Sequence, residues 1–439
     1  MKVACCSPEI NVPYLGTPRT RFGSEEAHVI LQKCSNFKQL KQVHGRIIRF
    51  GLIYDQLLMR KLIQFSSSYG KLNYATLVFD QLNSPDTFTW NVMIRAYTIS
   101  GSPKMALLLF KAMLCQGFAP DKFTYPFVIS ACVASNALDL GRVTHALAIK
   151  MGFWSDLYVQ TNLMNLYFKC KDVDDGWKVF DKMRVRNVFA WTTVIAGFVA
   201  CGRLDTARKL FEKMPSKNVV SWTAMIDGYV KHAQPVKAFN LFERMLVDNV
   251  KPNEYTVVSL VRACTEMGSL RLGRRIHDFV LKNDFEIGAF LGTALIDMYS
   301  KCGSLDEARK VFDVMQVRTL ATWNTMITSL GVHGFRSEAI SLFEEMVKAN
   351  EVPDAITFVG VLSACVYLND LELAQKYFNL MTDHYGSTLE ANHDVAELLH
   401  KSKLTNVDDI KKLVQKQYED LDSSELVIDH SSTSSQPQL

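Results

Sequence analysis

The chain has 439 residues, 48% hydrophobic and 21% charged, with 22 Gly and 12 Pro. That is ample apolar content for packed cores, and it excludes collagen-like and wholly disordered chains. No run of about 18 apolar residues without charge occurs, so neither a membrane-spanning helix nor a membrane partner is expected. The net charge is +4, but ten acids against five lysines from 387 to 439 leave +9 on the rest, a mildly basic body ahead of an acidic tail.

In chain order, residues 1–23 carry Lys2, Arg19 and Arg21 against one acid, Glu9. This is compatible with an organelle transit segment, although short and poor in Ser and Arg. From residue 24 a periodic pattern takes over. The phrase Thr87-Phe88-Thr89-Trp90-Asn91 returns as Val188-Phe189-Ala190-Trp191-Thr192, Val219-Val220-Ser221-Trp222-Thr223 and Leu320-Ala321-Thr322-Trp323-Asn324. With Trp fourth in its unit, the chain divides without remainder into 87–121, 122–156, 157–187, 188–218, 219–253, 254–288, 289–319 and 320–354, of 35, 35, 31, 31, 35, 35, 31 and 35 residues. Less regular units flank these at 24–55, 56–86 and 355–390.

Columns that did not define the register support it. The twentieth residue is small (Ala75, Ala106, Gly141, Gly176, Ala207, Ala238, Gly273, Ala308, Ala339, Ala374), the twenty-fourth is usually Phe, and the twenty-seventh is usually Met. Each unit reads as two short helices, the first broken by a Gly such as Gly101, Gly202, Gly303 or Gly334. One pair cannot bury its apolar face alone, so about eleven stacked pairs predict one all-α, right-handed α-solenoid superhelix of helix-turn-helix repeats.

The ten cysteines include no Cys-x-x-Cys pair. Cys132, Cys264 and Cys365 are eleventh in their units, and Cys170, Cys201 and Cys302 fourteenth. Such columns predict separate, translated packing environments rather than a converging metal site. His44, His145 and His277 stand in the Phe column and are expected to pack, since no base or nucleophile partner recurs beside them. No catalytic residue, metal or cofactor is expected.

The phrases Val219 to Ile226, Ala294 to Gly303 and Val361 to Cys365 resemble, almost letter for letter, the plant organellar pentatricopeptide repeat proteins, in the PLS subfamily that alternates long, short and standard units. The resemblance covers 24–390. It implies binding of single-stranded organellar RNA, one base per repeat, through the fifth and last residues of each unit. Unstacked bases expose edges that short polar side chains on a rigid scaffold can read one at a time.

Carried over by position, the resemblance makes Asn91 with Asp121 and Asn324 with Asp354 readers of uracil. Thr161 with Asn187, Thr192 with Asn218 and Thr223 with Asn253 become readers of adenine, and Thr293 with Thr319 an unassigned pair. The long units have Pro126 with Asp156 and Val258 with Gly288, and Arg60 with Asp86 matches no usual pair. The expected core target across 87–354 is U-N-A-A-A-N-N-U. Second-place residues Phe88, Tyr158, Phe189, Val220 and Phe290 are expected to sandwich the bases. The plainer reading of the same positions is helix capping for the polar residues and neighbour packing for the aromatics. Arg271, Arg274 and Arg275 offer phosphate contacts or a solvated helix face.

The carboxyl end departs from the resemblance. A terminal DYW-type deaminase domain would need His-x-Glu and a later Cys-x-x-Cys around zinc, but no cysteine follows Cys365. Residues 391–439 read as an acidic, partly disordered tail with one helical stretch near 408–418. The chain is therefore expected to be no enzyme itself. It is expected to serve C-to-U editing with a deaminase supplied in trans, or transcript processing or stabilisation, in the chloroplast with the mitochondrion as alternative. The rival class is an α-solenoid scaffold for protein partners, against which the correlated polar columns argue.

Overall fold

A computed structural model of the chain describes residues 22–82, 84–366 and 371–389. The tail from 391 and nearly all of the transit segment lie outside the described residues. Among those residues every regular element is helical, with 22 α-helices and two short 3-10 turns, and no helix is long and apolar enough to cross a membrane.

The chain falls into two compact units, 1–186 and 187–439. The first contains α1 (Ser24–Lys33), α2 (Phe37–Arg49), α3 (Gln56–Ser68), α4 (Leu72–Asp80), α5 (Thr87–Ile99), α6 (Pro103–Cys115), α7 (Thr124–Ala134), α8 (Leu138–Lys150), α9 (Leu157–Lys169) and α10 (Val173–Asp181). The second contains α11 (Val188–Ala200), α12 (Leu204–Lys213), α13 (Val219–Lys231), α14 (Pro235–Val247), α15 (Glu254–Glu266), α16 (Leu270–Lys282), α17 (Ala289–Lys301), α18 (Leu305–Val314), α19 (Leu320–Val332), α20 (Arg336–Lys348), α21 (Ala355–Val366) and α22 (Leu371–Leu389). Inside each unit the odd-numbered helices pack on one another in one layer, and each even-numbered helix wedges between its own partner and the next odd-numbered helix. Each compact unit is thus an α-solenoid of helical hairpins.

Residue chemistry accounts for the hairpin. Gly101, Gly202, Gly303 and Gly334 have φ of 76°, 72°, 77° and 80°, the left-handed conformation that ends a helix without a Cβ penalty. The next backbone N–H then bonds back to the last turn, as Arg203 does to the Phe198 carbonyl at 2.9 Å and Ser304 to that of Tyr299 at 2.8 Å. The small column marks the closest approach of the helices. Ala106, Ala207, Ala238, Ala308 and Ala339 are wholly buried. A Cβ on Gly141 or Gly273 would sit 2.3 Å from Leu166 or Met298, side chains that already fill the space.

Between repeats the Phe column meets the Trp of the next. Phe79 lies edge-on to Trp90 with centroids 4.8 Å apart, Phe211 to Trp222 at 4.7 Å, and Phe312 to Trp323 at 5.1 Å. Where His replaces Phe, its ring nitrogen bonds a tyrosine hydroxyl of the following repeat: His145 to Tyr167 and His277 to Tyr299, both at 2.8 Å, and His44 to Tyr74. Burial holds the three imidazoles below the usual histidine range, and it pushes Tyr167 and Tyr299 up to about 12. Burial raises Cys132 to about 11 and Cys264 to about 12, as for thiols packed in a core.

Two outcomes follow from this packing. Gly331→Ala would place a methyl 2.6 Å from the Gly360 carbonyl oxygen, a backbone atom that cannot swing away. It should destabilise by about 1–3 kcal/mol in urea unfolding, while Gly45→Ala, with nothing within 4 Å of the new Cβ, should be neutral or slightly stabilising. The half-buried imidazoles of His145 and His277 bind protons less readily than in the unfolded chain. Stability is then complete above the ordinary histidine value and declines as pH falls below it. Thermal melts from pH 7.5 to 5.5 should show that decline, flattened in a His145→Phe, His277→Phe double variant.

Candidate nucleic-acid interface

The predicted site residues stand at the amino ends of the odd-numbered helices. A helix leaves its first backbone N–H groups without partners, and the residue before the helix supplies them here. Asp121 accepts from the backbone N–H of Thr124 and Phe123, each at 2.9 Å. Asn187 accepts from Ala190, Asn218 from Ser221 and Asp354 from Thr357, at 2.9 Å each, and Asn253 from Thr256 at 3.0 Å. Asp156 does the same for α9, and Thr319 joins Thr322 through their hydroxyls at 3.1 Å. The capping reading therefore holds for the last residue of these units. It does not displace the other reading for the Asn and Asp residues, because a cap occupies one side-chain oxygen and leaves the second polar atom.

The fifth-place residues divide. Asn91 donates from Nδ2 to Asp121 Oδ1 at 2.9 Å, and Asn324 to Asp354 Oδ1 at 2.9 Å. Both amides are nearly buried, so each offers only an edge at the floor of the site. Thr223 lies 3.5 Å from Asn253 Oδ1 and 2.7 Å from the Thr256 hydroxyl. Thr293 reaches Thr322 at 2.9 Å and, through it, Thr319. Thr192 and Asn218 do not bond each other among the described contacts. Thr192 donates instead to the Val188 carbonyl at 2.7 Å. Thr161 donates to the Leu157 carbonyl at 2.6 Å, within the first compact unit, and its assigned partner Asn187 caps α11 in the second.

Sequence reasoning passed over one column. The third residue of the following unit, Thr124, Thr256, Thr322 or Thr357, carries the hydroxyl that ties a fifth-place side chain to a last-place one. Its signal was present as a recurrent Ser or Thr at the third helical position, the mark of a capping box.

The second-place residues Phe88, Tyr158, Phe189, Val220 and Phe290 are 47%, 75%, 75%, 51% and 42% exposed, well above what core packing would give. Two have partial cover: the Arg60 guanidinium lies 4.7 Å from the Phe88 ring, and Tyr255 is 5.4 Å from Phe290. Arg60 is itself ion-paired with Asp86, which explains a combination that matched no usual pair. Arg274 is held by both Glu307 oxygens, at 3.0 and 3.1 Å, so its charge bridges repeats instead of standing free for phosphate.

A polar pair at regular spacing and an exposed apolar residue near the start of successive odd-numbered helices define the class of protein as a helical-hairpin repeat scaffold. Models of the PPR repeat family match residues 85–134, 217–266 and 318–367, and those of the PPR repeat match 161–188, 189–219 and 293–320. The chain is 57% identical over 403 residues to the Arabidopsis thaliana pentatricopeptide repeat-containing protein At3g26630, chloroplastic, covering 91% of this chain and 89% of the relative. It is 42% identical to At2g42920, chloroplastic, of the same plant, over 86% of this chain and 68% of the relative. It also resembles yeast Rmd9p, solved in complex with a 16-nt target RNA, at 12% identity and a TM-score of 0.45, covering 91% of this chain and 94% of that one. The chain belongs to the pentatricopeptide repeat family, and with its chloroplastic relatives it is assigned to the chloroplast.

The caps can be tested without any ligand. Asn218→Ala and Asn253→Ala should each lower stability by about 1 kcal/mol in urea unfolding, whereas Asp at either position should preserve it.

Proposed function

We propose that the chain binds single-stranded RNA sequence-specifically, one base per repeat along 24–390, as a PLS-type member of its family. The observation that supports this best is the recurrence, at one place on successive repeats, of an exposed apolar second residue beside a polar pair that the helix cap already holds rigid. A base slides between second-place side chains of neighbouring repeats, which offer stacking or apolar contact to any base. Its hydrogen-bonding edge then faces the polar pair, where donor and acceptor pattern discriminates. Asn91 with Asp121 and Asn324 with Asp354 take uracil, and Thr161 with Asn187, Thr192 with Asn218 and Thr223 with Asn253 take adenine. The target is U-N-A-A-A-N-N-U. Bound there, the protein directs C-to-U editing by a deaminase acting in trans, or protects or defines a transcript end.

Binding of the purified protein to U-N-A-A-A-N-N-U, at one fixed salt concentration, should exceed binding to the RNA with guanine at its three adenines. The expected ratio is on the order of a hundredfold, at about fivefold per lost hydrogen-bonded edge. Asn218→Asp with Asn253→Asp should move preference toward guanine at the fourth and fifth bases. Equal affinity for the two RNAs would remove the base assignments, and no binding at low salt would favour the protein scaffold.

A further inference from the structure

We propose that the third-place hydroxyl of the following repeat, on Thr124, Thr256 and Thr357, is a positioning residue that sets which hydrogen-bonding face the fifth-place side chain turns to the base. This rests on the readout assignment above.

The two Asn–Asp pairs make the case most fully. A carboxylate only accepts hydrogen bonds, so the Asn91 amide must turn Nδ2 to Asp121, and its Oδ1 then receives the Thr124 hydroxyl at 2.7 Å. Asn324, Asp354 and Thr357 repeat the triangle, with the hydroxyl 2.6 Å from Asn324 Oδ1. Each threonine oxygen accepts the backbone N–H of the aspartate, at 2.9 and 3.0 Å, and its one proton has two acceptors in reach, the aspartate Oδ1 at 3.0 and 2.9 Å and the amide Oδ1 at 2.7 and 2.6 Å. The amide oxygen takes it, because that contact is the shorter and the oxygen has no hydrogen of its own to bring to it. A flipped amide would set Oδ1 against a carboxylate, which has no hydrogen to give, and lose the bond between them. What the amide keeps for a ligand is one Nδ2 hydrogen, beside an Asp Oδ2 that accepts nothing among the described contacts. A donor next to an acceptor matches uracil O4 and N3–H, and it opposes the cytosine amino group and N3.

At Thr223 the fifth-place group is a hydroxyl, and the same logic fixes its proton. Thr256 accepts from the Asn253 N–H at 3.3 Å and donates to Asn253 Oδ1 at 2.8 Å. Its remaining contact, 2.7 Å to Thr223, therefore takes the Thr223 proton and leaves that oxygen's lone pairs for the adenine amino group. Ser221 supplies the contrast. Its hydroxyl bonds only Asn218 main-chain atoms among the described contacts, at 2.8 and 3.1 Å, and Thr192 turns away to its own helix.

The experiment measures binding of the intact protein to U-N-A-A-A-N-N-U, each N held to one base, and to the same RNA ending in C. Wild type, Thr357→Val, Thr357→Ser and Ser221→Ala are compared, with melting temperatures to confirm folding. Thr357→Val should lose about fivefold of the preference for terminal U, and Thr357→Ser should keep it. Ser221→Ala should leave the adenine-over-guanine preference at the fourth base unchanged. If Thr357→Val fails to fold, Thr256→Val with adenine or guanine at the fifth base carries the same test. An undiminished preference in a folded valine variant, or an equal loss in Ser221→Ala, overturns the proposal, because the hydroxyl then only caps. A wild type indifferent to U and C gives a distinct result that removes the readout assignment and this proposal with it.

Discussion

Successive repeats meet at a recurring joint: at three junctions the phenylalanine of an even-numbered helix lies edge-on to the tryptophan at the start of the next odd-numbered helix, and at three others a histidine in the same column bonds a tyrosine hydroxyl. Such an edge-on pair contributes about 0.5–1.5 kcal/mol beyond the area it buries, and its greater effect is geometric. The rings meet only if the helices of a hairpin approach closely, which the buried Ala and Gly column permits. Once they meet, an odd-numbered helix is covered by its partner, by the preceding hairpin and by the next odd-numbered helix. The first turn of that helix is left with its second residue exposed.

The polar residues at that turn answer to two requirements at once. The first backbone N–H groups of a buried helix need acceptors whatever the protein does, and Asp121, Asn187, Asn218, Asn253 and Asp354 provide them. The same bonds immobilise the side chains whose remaining atoms face outward. Under the proposed readout, a site on obligatory caps is rigid from the start, so ordering it on binding costs little. Substitutions at these positions then report on folding as well as on the proposed readout unless a cap-preserving replacement is chosen.

Much of this could be read from the letters alone. The period appears because every repeat needs the same small residue, the same ring and the same helix stop, and a constraint that recurs in space recurs in the chain. Helix pairs and turn glycines followed from that register, and the candidate polar pairs from the family resemblance laid upon it. The cation assignments did not follow: Arg274 and Arg60 could be judged only once Glu307 and Asp86 were seen to meet them.

The sharpest division lies between two pairs with identical letters. Thr192 with Asn218 and Thr223 with Asn253 are indistinguishable by residue type and spacing, and the sequence by itself determined that both are a fifth-place hydroxyl and a last-place amide. Only the tertiary structure decided that Thr223 enters a network through Thr256 while Thr192 bonds its own helix beside Ser221. The reason is physical: these partners lie about thirty residues apart on adjoining helices, and a single hydroxyl proton goes to whichever acceptor the packing brings within reach.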